Sequence, residues 1–530
     1  MRILMVAWDA GEPSLVERWC SEGALPALAE LRSAGASGRL RSPARWLAGS
    51  PWPTFYTGCS PSVHGLYHAL QWRTERMTLE RPAADWIPAR PFWRALGGAG
   101  VRTLAVDVPM TLSVEPFDGV EISGWASHDQ LAPPASHPAG ALAEARRRFG
   151  RSPLGDEVFG LQTPAALLGL RDGLIEATHA TAAVAEDLLR RQRWDLALVV
   201  LGATHRGGHK LWDLSGVRGR PTAGEAAELG DSLRRVYAAC DEATRRLVDA
   251  AGADVTTFVF SVHGMGANTS RAELLPAMLG GILAAGRGTQ EDAAGRVRGA
   301  APPPAGGLLG RLRSAVPLEL RNAVKSRLPR ALQDRLTAFW RLRGRRLETA
   351  RVLPLLADLQ GYVRINLRGR EPRGLVEPGP EEEALTARVV EGLSRFVDAD
   401  TREPVVREVV RSRDVFPPGP RASDLPDLLV LWADTPAAAH RALTSPSGDV
   451  AWPDPGRNPD GRSGNHRPEG FLVMTGAVVA GDGGVAADVV DLAPTVCALL
   501  GVEPPWPMEG RVLAGSAASS RTDPNLSANE

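Results

Sequence analysis

A short apolar run recurs along the chain, with helical patterns between its copies, and this repetition limits the possible folds more than any other feature. Each run is mostly apolar, as expected for strands buried on both faces of a parallel sheet. The runs lie at 2–7, 102–108, 194–201, 256–261 and 427–432. The helical patterns between them include 14–34 and 223–251. This alternation predicts an α/β fold with a doubly wound sheet, whose ligand sites lie beyond the carboxyl ends of the strands.

Two segments interrupt the alternation and suggest how the chain of 530 residues is divided. Residues 127–193 are rich in Ala, Arg and Pro and predict a helical cap insertion. Residues 285–350 begin as a Gly/Ala/Pro linker and continue as a basic amphipathic helical insertion. The predicted core therefore has three parts, 1–126, 194–284 and 351–515. A polar tail at 516–530 is predicted to be disordered.

Charge and cysteine content exclude several classes of protein. Lys and Arg total 61, as do Asp and Glu, so no overall basic field is available to bind a nucleic acid polymer. Lys210 and Lys325 are the only lysines, and neither follows Gly, which excludes a Walker-type phosphate loop. Four cysteines without a CxxC pair predict no disulfide framework and favour a cytoplasmic protein. The sequence contains no apolar stretch of about twenty residues, so a membrane span is not predicted.

Histidines gather in turns beside the predicted strands. His205 and His209 follow the third run and share one helix face if their turn opens a helix. His263 follows the fourth run, His466 precedes a further strand at 471–474, and Asp9 follows the first run. A single histidine beside a strand is more often structural than a ligand. The joint occurrence of four histidines and Asp9 beside predicted strands nevertheless favours a metal site, most simply for zinc.

Hydroxyl groups occur at a predicted helix N-terminus between the first two runs. Ser50 precedes Pro51, and Thr54 lies one turn further on. A helix N-terminus offers backbone N–H groups to an anion. Ser50 is therefore either a plain helix cap or a nucleophile activated by a nearby metal ion.

Three arginines neighbour the histidine turns and are candidates for binding a phosphate. They are Arg206, Arg462 and Arg467. Planar guanidinium groups bind phosphate oxygens in pairs, although surface ion pairs are the simpler interpretation for each.

In order and spacing these pieces resemble the alkaline phosphatase superfamily, and most of all its type I phosphodiesterase/nucleotide pyrophosphatase branch. The matching pieces are the strand ending at Asp9, the Trp-Pro-Thr-Phe-Tyr-Thr-Gly helix start at 52–58, the turn at 205–209, the His-Gly turn at His263, and Asp-Leu-Ala-Pro-Thr at 491–495. The resemblance implies a mixed sheet flanked by helices, with helical cap insertions. It also implies hydrolysis of phosphodiester or nucleotide-like substrates with one or two zinc ions, or manganese.

The resemblance also implies roles for individual residues. Asp9 and His263 would bind one metal ion beside the nucleophile. His209 and His466 would bind a second ion, with His205 where the family usually has Asp.

Two positions depart from the family pattern. Val262 replaces the carboxylate that usually precedes the His-Gly turn. Counting back from Thr57 places the family's nucleophile at Ala48, which cannot react. We therefore predict that Ser50 is the nucleophile, with Thr54 as the alternative.

Three functions remain open on this basis. The first is hydrolysis of a small phosphate or sulfate ester. The second is transfer of the same group to an alcohol acceptor, and the third is a catalytically inactive family member. Cys59-Ser60-Pro61 is similar to the start of the sulfatase signature, but Val63 stands where that signature has Arg. A formylglycine sulfatase is therefore not expected, and the sequence carries no signal for the oligomeric state.

Overall fold

A computed structural model describes residues 1–126, 131–155, 157–285, 328–341, 349–476 and 484–513. The strands are β1 (Arg2–Trp8), β2 (Ala36–Arg41), β3 (Gln71–Arg73), β4 (Thr78–Glu80), β5 (Thr103–Val106), β6 (Gly119–Ser123), β7 (Ala135–His137), β8 (Leu196–Leu201), β9 (Val255–Phe260), β10 (Gly264–Ala267), β11 (Val352–Leu355), β12 (Gly361–Ile365), β13 (Val397–Asp398), β14 (Val406–Arg411), β15 (Leu428–Trp432), β16 (Ala442–Thr444), β17 (Val450–Ala451), β18 (Gly464–Arg467), β19 (Glu469–Thr475) and β20 (Gly484–Asp488). The α-helices are α1 (Pro13–Ser21), α2 (Pro26–Ala34), α3 (Pro51–Thr57), α4 (Pro61–His64), α5 (Ala141–Phe149), α6 (Pro164–Arg191), α7 (Ala203–Leu211), α8 (Ala223–Ala251), α9 (Leu275–Ala285), α10 (Arg330–Arg341), α11 (Pro380–Ser394), α12 (Ser412–Val415) and α13 (Leu492–Leu500).

A nine-stranded mixed sheet forms the centre of the molecule, in the order β20-β2-β19-β9-β1-β8-β5-β6-β7. Strands β9, β1, β8, β5 and β6 run parallel to their neighbours in this series. Strand β19 is antiparallel to β9 and β2, and β7 is antiparallel to β6. Helices cover both faces. The predicted α/β class with a mixed, doubly wound sheet is confirmed.

Strand β1 shows why a continuous apolar run becomes a central strand. Successive side chains point to opposite faces of a sheet. Leu4 and Val6 belong to the core beneath α6 and α8, whereas Ile3 and Met5 belong to the core beneath α3 and α13. Because both faces are covered, every position of the strand beyond its first residue is buried.

Two helical predictions have different outcomes. Helix α8 spans 223–251 as predicted, and a capping box of Thr222 and Glu225 fixes its start. The pattern at 14–34 forms two helices instead of one. Gly23 adopts φ +76°, a left-handed conformation that ends a helix, and Pro26 then begins α2.

The described residues of the segment 127–193 pack on the main sheet, and their role as a cap stays a prediction. Strand β7 of this segment joins the main sheet, and helix α6 packs along α8. Leu174 and Val184 of α6 are buried in the core. Frequent alanines allow α6 to lie close to α8. The sequence alone does not distinguish a helix packed in this way from a solvated helical insertion. Residues 127–130 and 156 lie outside the described residues.

A second lobe is formed mainly by residues that the sequence assigns to the third part of the core, together with α9 from the second part. Strands β11, β12, β15 and β14 form an antiparallel four-stranded sheet with α9 and α11 packed on it. The run at 427–432 becomes β15 of this sheet and not a strand of the main one. Its side chains alternate between two cores, with Val430 in one and Leu429 in the other. An apolar run predicts burial on both faces but not the sheet that the strand joins.

The predicted linker and tail fall mostly outside the described residues. Helix α10 is the described helix of the 285–350 insertion, and Arg81 pairs with its Asp334 at 2.8 Å. The tail at 516–530 lies outside the described part. All four cysteines are free. Among the described helices, none combines the length and the apolar character needed to cross a membrane.

Candidate active site

The carboxyl ends of three neighbouring parallel strands meet at one edge of the main sheet. The registers of Trp8 with Leu201 and of Ala7 with Phe260 align the ends of β1, β8 and β9. Asp9 follows β1, α7 begins after β8, and His263 follows β9. This edge is where the strand order predicts a ligand site.

Three histidines converge beside this edge. His205 Nε2 lies 3.0 Å from His209 Nε2 and 2.9 Å from His466 Nε2. Helix α7 places His205 and His209 one turn apart on one face, and β18 brings in His466 by pairing it with Met265 of β10. All three side chains are buried, and one ring nitrogen from each lies within 4.8 Å of the others.

Each ring of α7 is held by an acceptor on its other nitrogen. His209 Nδ1 lies 2.9 Å from the carbonyl oxygen of Gly464, and His205 Nδ1 lies 2.8 Å from Asp9 Oδ2. Acceptors at Nδ1 select the tautomer that leaves Nε2 available as a ligand. Burial lowers the pKa of His209 and of His466 well below the usual value, so both rings are neutral.

Asp9 is a buried, ionised carboxylate. Its Oδ1 accepts a hydrogen bond of 2.8 Å from Trp52 Nε1, while its Oδ2 faces His205. Burial alone would raise the pKa of Asp9, but the charge and hydrogen bond of His205, together with His263, hold it at about 2. The carboxylate therefore orients the His205 ring.

His263 lies close to this cluster. Its ring centroid is 4.5 Å from that of His466, and its side chain lines the same cavity as Asp9. Val262 is packed in the apolar core and offers no ligand atom. Within the described residues, His205, His209 and His466 are the one group of three potential ligands that converges this closely. These are the three residues that the resemblance places around the second ion, and Asp9, which it assigns to the first ion, contacts His205.

A cavity of about 30 Å³ opens beside these residues. The described residues that line it are Asp9, Ala48, Gly49, Pro51, Trp52, Ala69, Pro109, Met110, His205, His263, Asp358 and His466. Ala48, where the resemblance implies the nucleophile position, is thus on the cavity wall.

The predicted nucleophiles do not face the cavity. Ser50 is fully buried and its Oγ donates a hydrogen bond of 2.7 Å to the carbonyl oxygen of Leu66. Thr54 Oγ1 lies 3.1 Å from His64 Nε2. Ser50 stands at the N-cap of α3 without making a side-chain cap bond, because its backbone turns the hydroxyl toward the loop that follows α4. The expected direction of Ser50, toward the histidines, is therefore corrected.

The three candidate arginines are engaged by protein groups. Arg462 is buried and its Nη2 and Nη1 lie 3.1 Å from Glu157 and 3.2 Å from Asp358. Arg467 pairs with Asp434 at 3.2 Å, and Arg206 donates to the carbonyl oxygen of Gly155. The simpler interpretation, ion pairing, holds for Arg462 and Arg467. Their binding of phosphate stays a prediction.

Sequence reasoning missed two residues at the site. Asp358 lines the cavity from the loop between β11 and β12, and His68 Nε2 lies 3.3 Å from its Oδ2. A signal for Asp358 was present, because it follows the apolar run 352–357 just as Asp9 follows the first run. No comparable pattern marks His68.

The donor set fits a transition metal ion. Three converging imidazoles, two of them with rings oriented through Nδ1, lie close to a carboxylate and form the kind of ligand set that zinc prefers. In addition, His466 Nδ1 is buried without a hydrogen-bond partner. A buried polar atom of this kind is more easily explained in a site that receives an ion or a ligand.

The family was then identified by comparison with known proteins. Residues 3–302 match the family Type I phosphodiesterase / nucleotide pyrophosphatase. The match covers more than half of the chain and includes Asp9, His205, His209 and His263. No curated protein matches the sequence.

Solved structures with a similar overall arrangement share little sequence with this chain. Phosphonoacetate hydrolase from Sinorhizobium meliloti 1021, in complex with phosphonoformate, is 13% identical with a TM-score of 0.49, and the alignment covers 93% of this chain and 94% of that one. Human ectonucleotide pyrophosphatase/phosphodiesterase 5 is 11% identical with a TM-score of 0.46, covering 97% of this chain and 100% of that one. These similarities are weak, so the family assignment rests on the sequence match, which agrees with the order of motifs along the chain. The chain belongs to the type I phosphodiesterase/nucleotide pyrophosphatase family.

Proposed function

We propose that this protein is a metal-dependent hydrolase of small phosphate esters, with a phosphodiester or nucleotide-like compound as substrate. The family supports hydrolysis of phosphodiester or pyrophosphate bonds in general. The observation that carries the proposal is the convergence of His205, His209 and His466 at the carboxyl edge of the sheet. A neutral protein without an excess of basic residues suits a small anionic substrate better than a nucleic acid polymer.

His205, His209 and His466 would hold one zinc ion, with manganese as the alternative metal. Imidazole ligands favour zinc over magnesium, which prefers oxygen ligands. When bound, such an ion supplies positive charge that attracts the phosphoryl oxygens and stabilises the negative charge that develops on them.

The chain's own residues prepare this site. Asp9 holds the His205 ring through Nδ1, and the Gly464 carbonyl holds His209 in the same way. Trp52 fixes the second oxygen of Asp9 and also lines the cavity. Asp9 and the three histidines are buried, and burial strengthens the electrostatic interactions among them.

A non-catalytic role is the second candidate, and Ala48 and Val262 favour it. Both positions lack the side chains implied by the family resemblance. The buried histidines and the ionised Asp9 favour catalysis, because burying a charge and several polar rings costs free energy that a purely structural core has no need to spend. Transfer to an alcohol acceptor would use the same site.

Metal analysis combined with a substrate screen tests the proposal. The purified protein, with zinc or manganese and with a chelator, would be offered p-nitrophenyl phosphate, bis-p-nitrophenyl phosphate, thymidine 5′-p-nitrophenyl phosphate and p-nitrophenyl sulfate. We expect bound zinc and chelator-sensitive release of p-nitrophenol from a diester. Stoichiometric zinc without turnover of any ester would support the non-catalytic role, and product that appears only with an added alcohol would indicate a transferase.

A further inference from the structure

The described residues that line the cavity include no hydroxyl or thiol nucleophile, since none of them is Ser, Thr, Tyr or Cys. Ala48 presents a methyl group, and the two predicted hydroxyl nucleophiles, Ser50 and Thr54, are bonded to Leu66 and His64. Carboxylates and imidazoles can also take up a phosphoryl group. Asp9, His205 and His466 are engaged with one another, so a water molecule is the simplest nucleophile for the described wall.

The cavity has room for such a nucleophile. Its volume of about 30 Å³ exceeds the roughly 10–15 Å³ that one water molecule needs. Asp9, His205, His263, Asp358 and His466 supply polar atoms around it. A water molecule beside Ala48 would occupy space that a serine or threonine side chain would fill.

Asp358 is held close to Ala48 by contacts between the two lobes. Gln360 Nε2 donates to the carbonyl oxygens of Ala44 and Arg45, at 2.6 and 2.9 Å. The backbone N–H of Ala48 donates to the hydroxyl of Tyr362 at 3.1 Å. These bonds tie the loop that carries Asp358 to the loop that carries Ala48.

A further contact ties Asp358 to the histidine cluster. Asn465 Nδ2 donates to the carbonyl oxygen of Asp358 at 2.8 Å, and the next residue is His466. The side chain of Asp358 accepts from Arg462 Nη1 on one oxygen and contacts His68 Nε2 on the other. A carboxylate can accept about four hydrogen bonds, so contacts of this kind hold its position and are compatible with its binding a water molecule as well.

We infer that hydrolysis at this site is a single displacement, in which water attacks phosphorus directly and Asp358 is the general base. The inference rests on the proposed function. The water oxygen forms a bond to phosphorus while the bond from phosphorus to the leaving oxygen breaks. One water proton passes to the carboxylate of Asp358, and the leaving oxygen takes up a proton from solvent. No phosphorylated residue is formed.

The configuration at phosphorus tests this directly. A single displacement inverts it, whereas two displacements through a phosphoenzyme retain it. The probe is a p-nitrophenyl phosphorothioate diester of one configuration, with thymidine as the second ester group, hydrolysed by the full-length zinc-loaded protein in ¹⁸O-labelled water. Inversion is expected. Retention would overturn the single displacement while leaving the proposed hydrolase function intact.

A matched pair of variants tests the role of Asp358. Asp358→Asn keeps the shape of the side chain but removes the base, so we expect kcat to fall by about 10²- to 10⁴-fold with bound zinc unchanged. Glu157→Gln removes the other carboxylate of Arg462, which does not line the cavity, and should change kcat by less than about threefold. Equal losses in both variants would show that Arg462 pairing matters and would overturn the assignment of Asp358.

The wild-type protein also separates failure of this inference from failure of the proposed function. If the zinc-loaded protein hydrolyses none of the oxygen diesters of the screen, the proposed function is wrong and the single displacement falls with it. If a diester is hydrolysed and Asp358→Asn retains wild-type kcat while its melting temperature is unchanged, Asp358 is not the base.

Discussion

Asp9 Oδ2 lies 2.8 Å from Nδ1 of His205, on the side of the ring opposite to the nitrogen that meets His209 and His466. A carboxylate in this position fixes the tautomer of a ligating histidine and makes the ring a stronger donor. The resemblance implies that Asp9 is a metal ligand. Its contact with His205 adds a second way for the same carboxylate to act, through the orientation of a ligand.

Replacing Asp9 tests this contact. Asp9→Asn keeps the size of the side chain but removes the charge that faces His205, so we expect zinc affinity to fall by about 10- to 100-fold and turnover to be lost at limiting zinc. Zinc titration followed by calorimetry measures the effect. Trp52→Phe removes only the donor to the other oxygen and leaves the charge of Asp9, so it is the comparison variant and should lose less zinc affinity than Asp9→Asn. Unchanged zinc affinity in Asp9→Asn would contradict the orienting role.

The three-histidine cluster should determine metal content. His209→Ala removes one of three converging ring nitrogens, and we expect the purified protein to contain little zinc because two imidazoles bind it much less tightly. Elemental analysis after extensive dialysis gives the answer. His179→Ala, on α6 away from the cluster, should retain wild-type zinc. A zinc-loaded His209→Ala protein would show that the ion is bound elsewhere.

The hydroxyl groups of α3 should matter for stability and not for chemistry. Ser50→Ala leaves the buried carbonyl of Leu66 without its donor, which costs about 1–3 kcal/mol of unfolding free energy. We expect kcat within about threefold of wild type, measured beside a urea denaturation curve, and the same for Thr54→Ala. If Ser50→Ala lost nearly all activity at unchanged stability, Ser50 would be the nucleophile after all.

His64 should make the protein less stable in acid. Burial lowers its pKa to about 3, far below the 6.5 of an exposed histidine. Between these values the unfolded chain binds a proton that the folded protein does not, so the unfolding free energy falls as the pH falls through this window. His64→Gln should show a shallower decline between about pH 7 and about pH 5 in urea denaturation with a chelator present. Parallel curves for the two proteins would exclude His64 as a source of the pH dependence.

Local sequence patterns are sufficient to predict the central strands of the main sheet and the residues that end them. Residues 3–7 and 258–260 are apolar without interruption, which favours cover on both faces. The polar residues that follow these strands are then expected to gather at one edge of the sheet. The four-residue spacing of His205 and His209 likewise places both rings on one face of a helix. Neighbouring residues are enough to predict these features, because strand burial and helix faces repeat over a few positions.

Contacts between segments far apart in the chain decide which of these side chains touch. They also decide which hydroxyl groups face away from the cavity. The direction of Ser50 depends on the loop that carries Leu66, and Asp358 reaches the cavity because Gln360 binds the carbonyls of Ala44 and Arg45, more than 300 positions earlier. The apolar pattern of β15 is the same whichever sheet the strand joins, so it does not reveal the second lobe. Side-chain direction depends on packing between distant segments, and such packing leaves no periodic trace in the sequence of either segment.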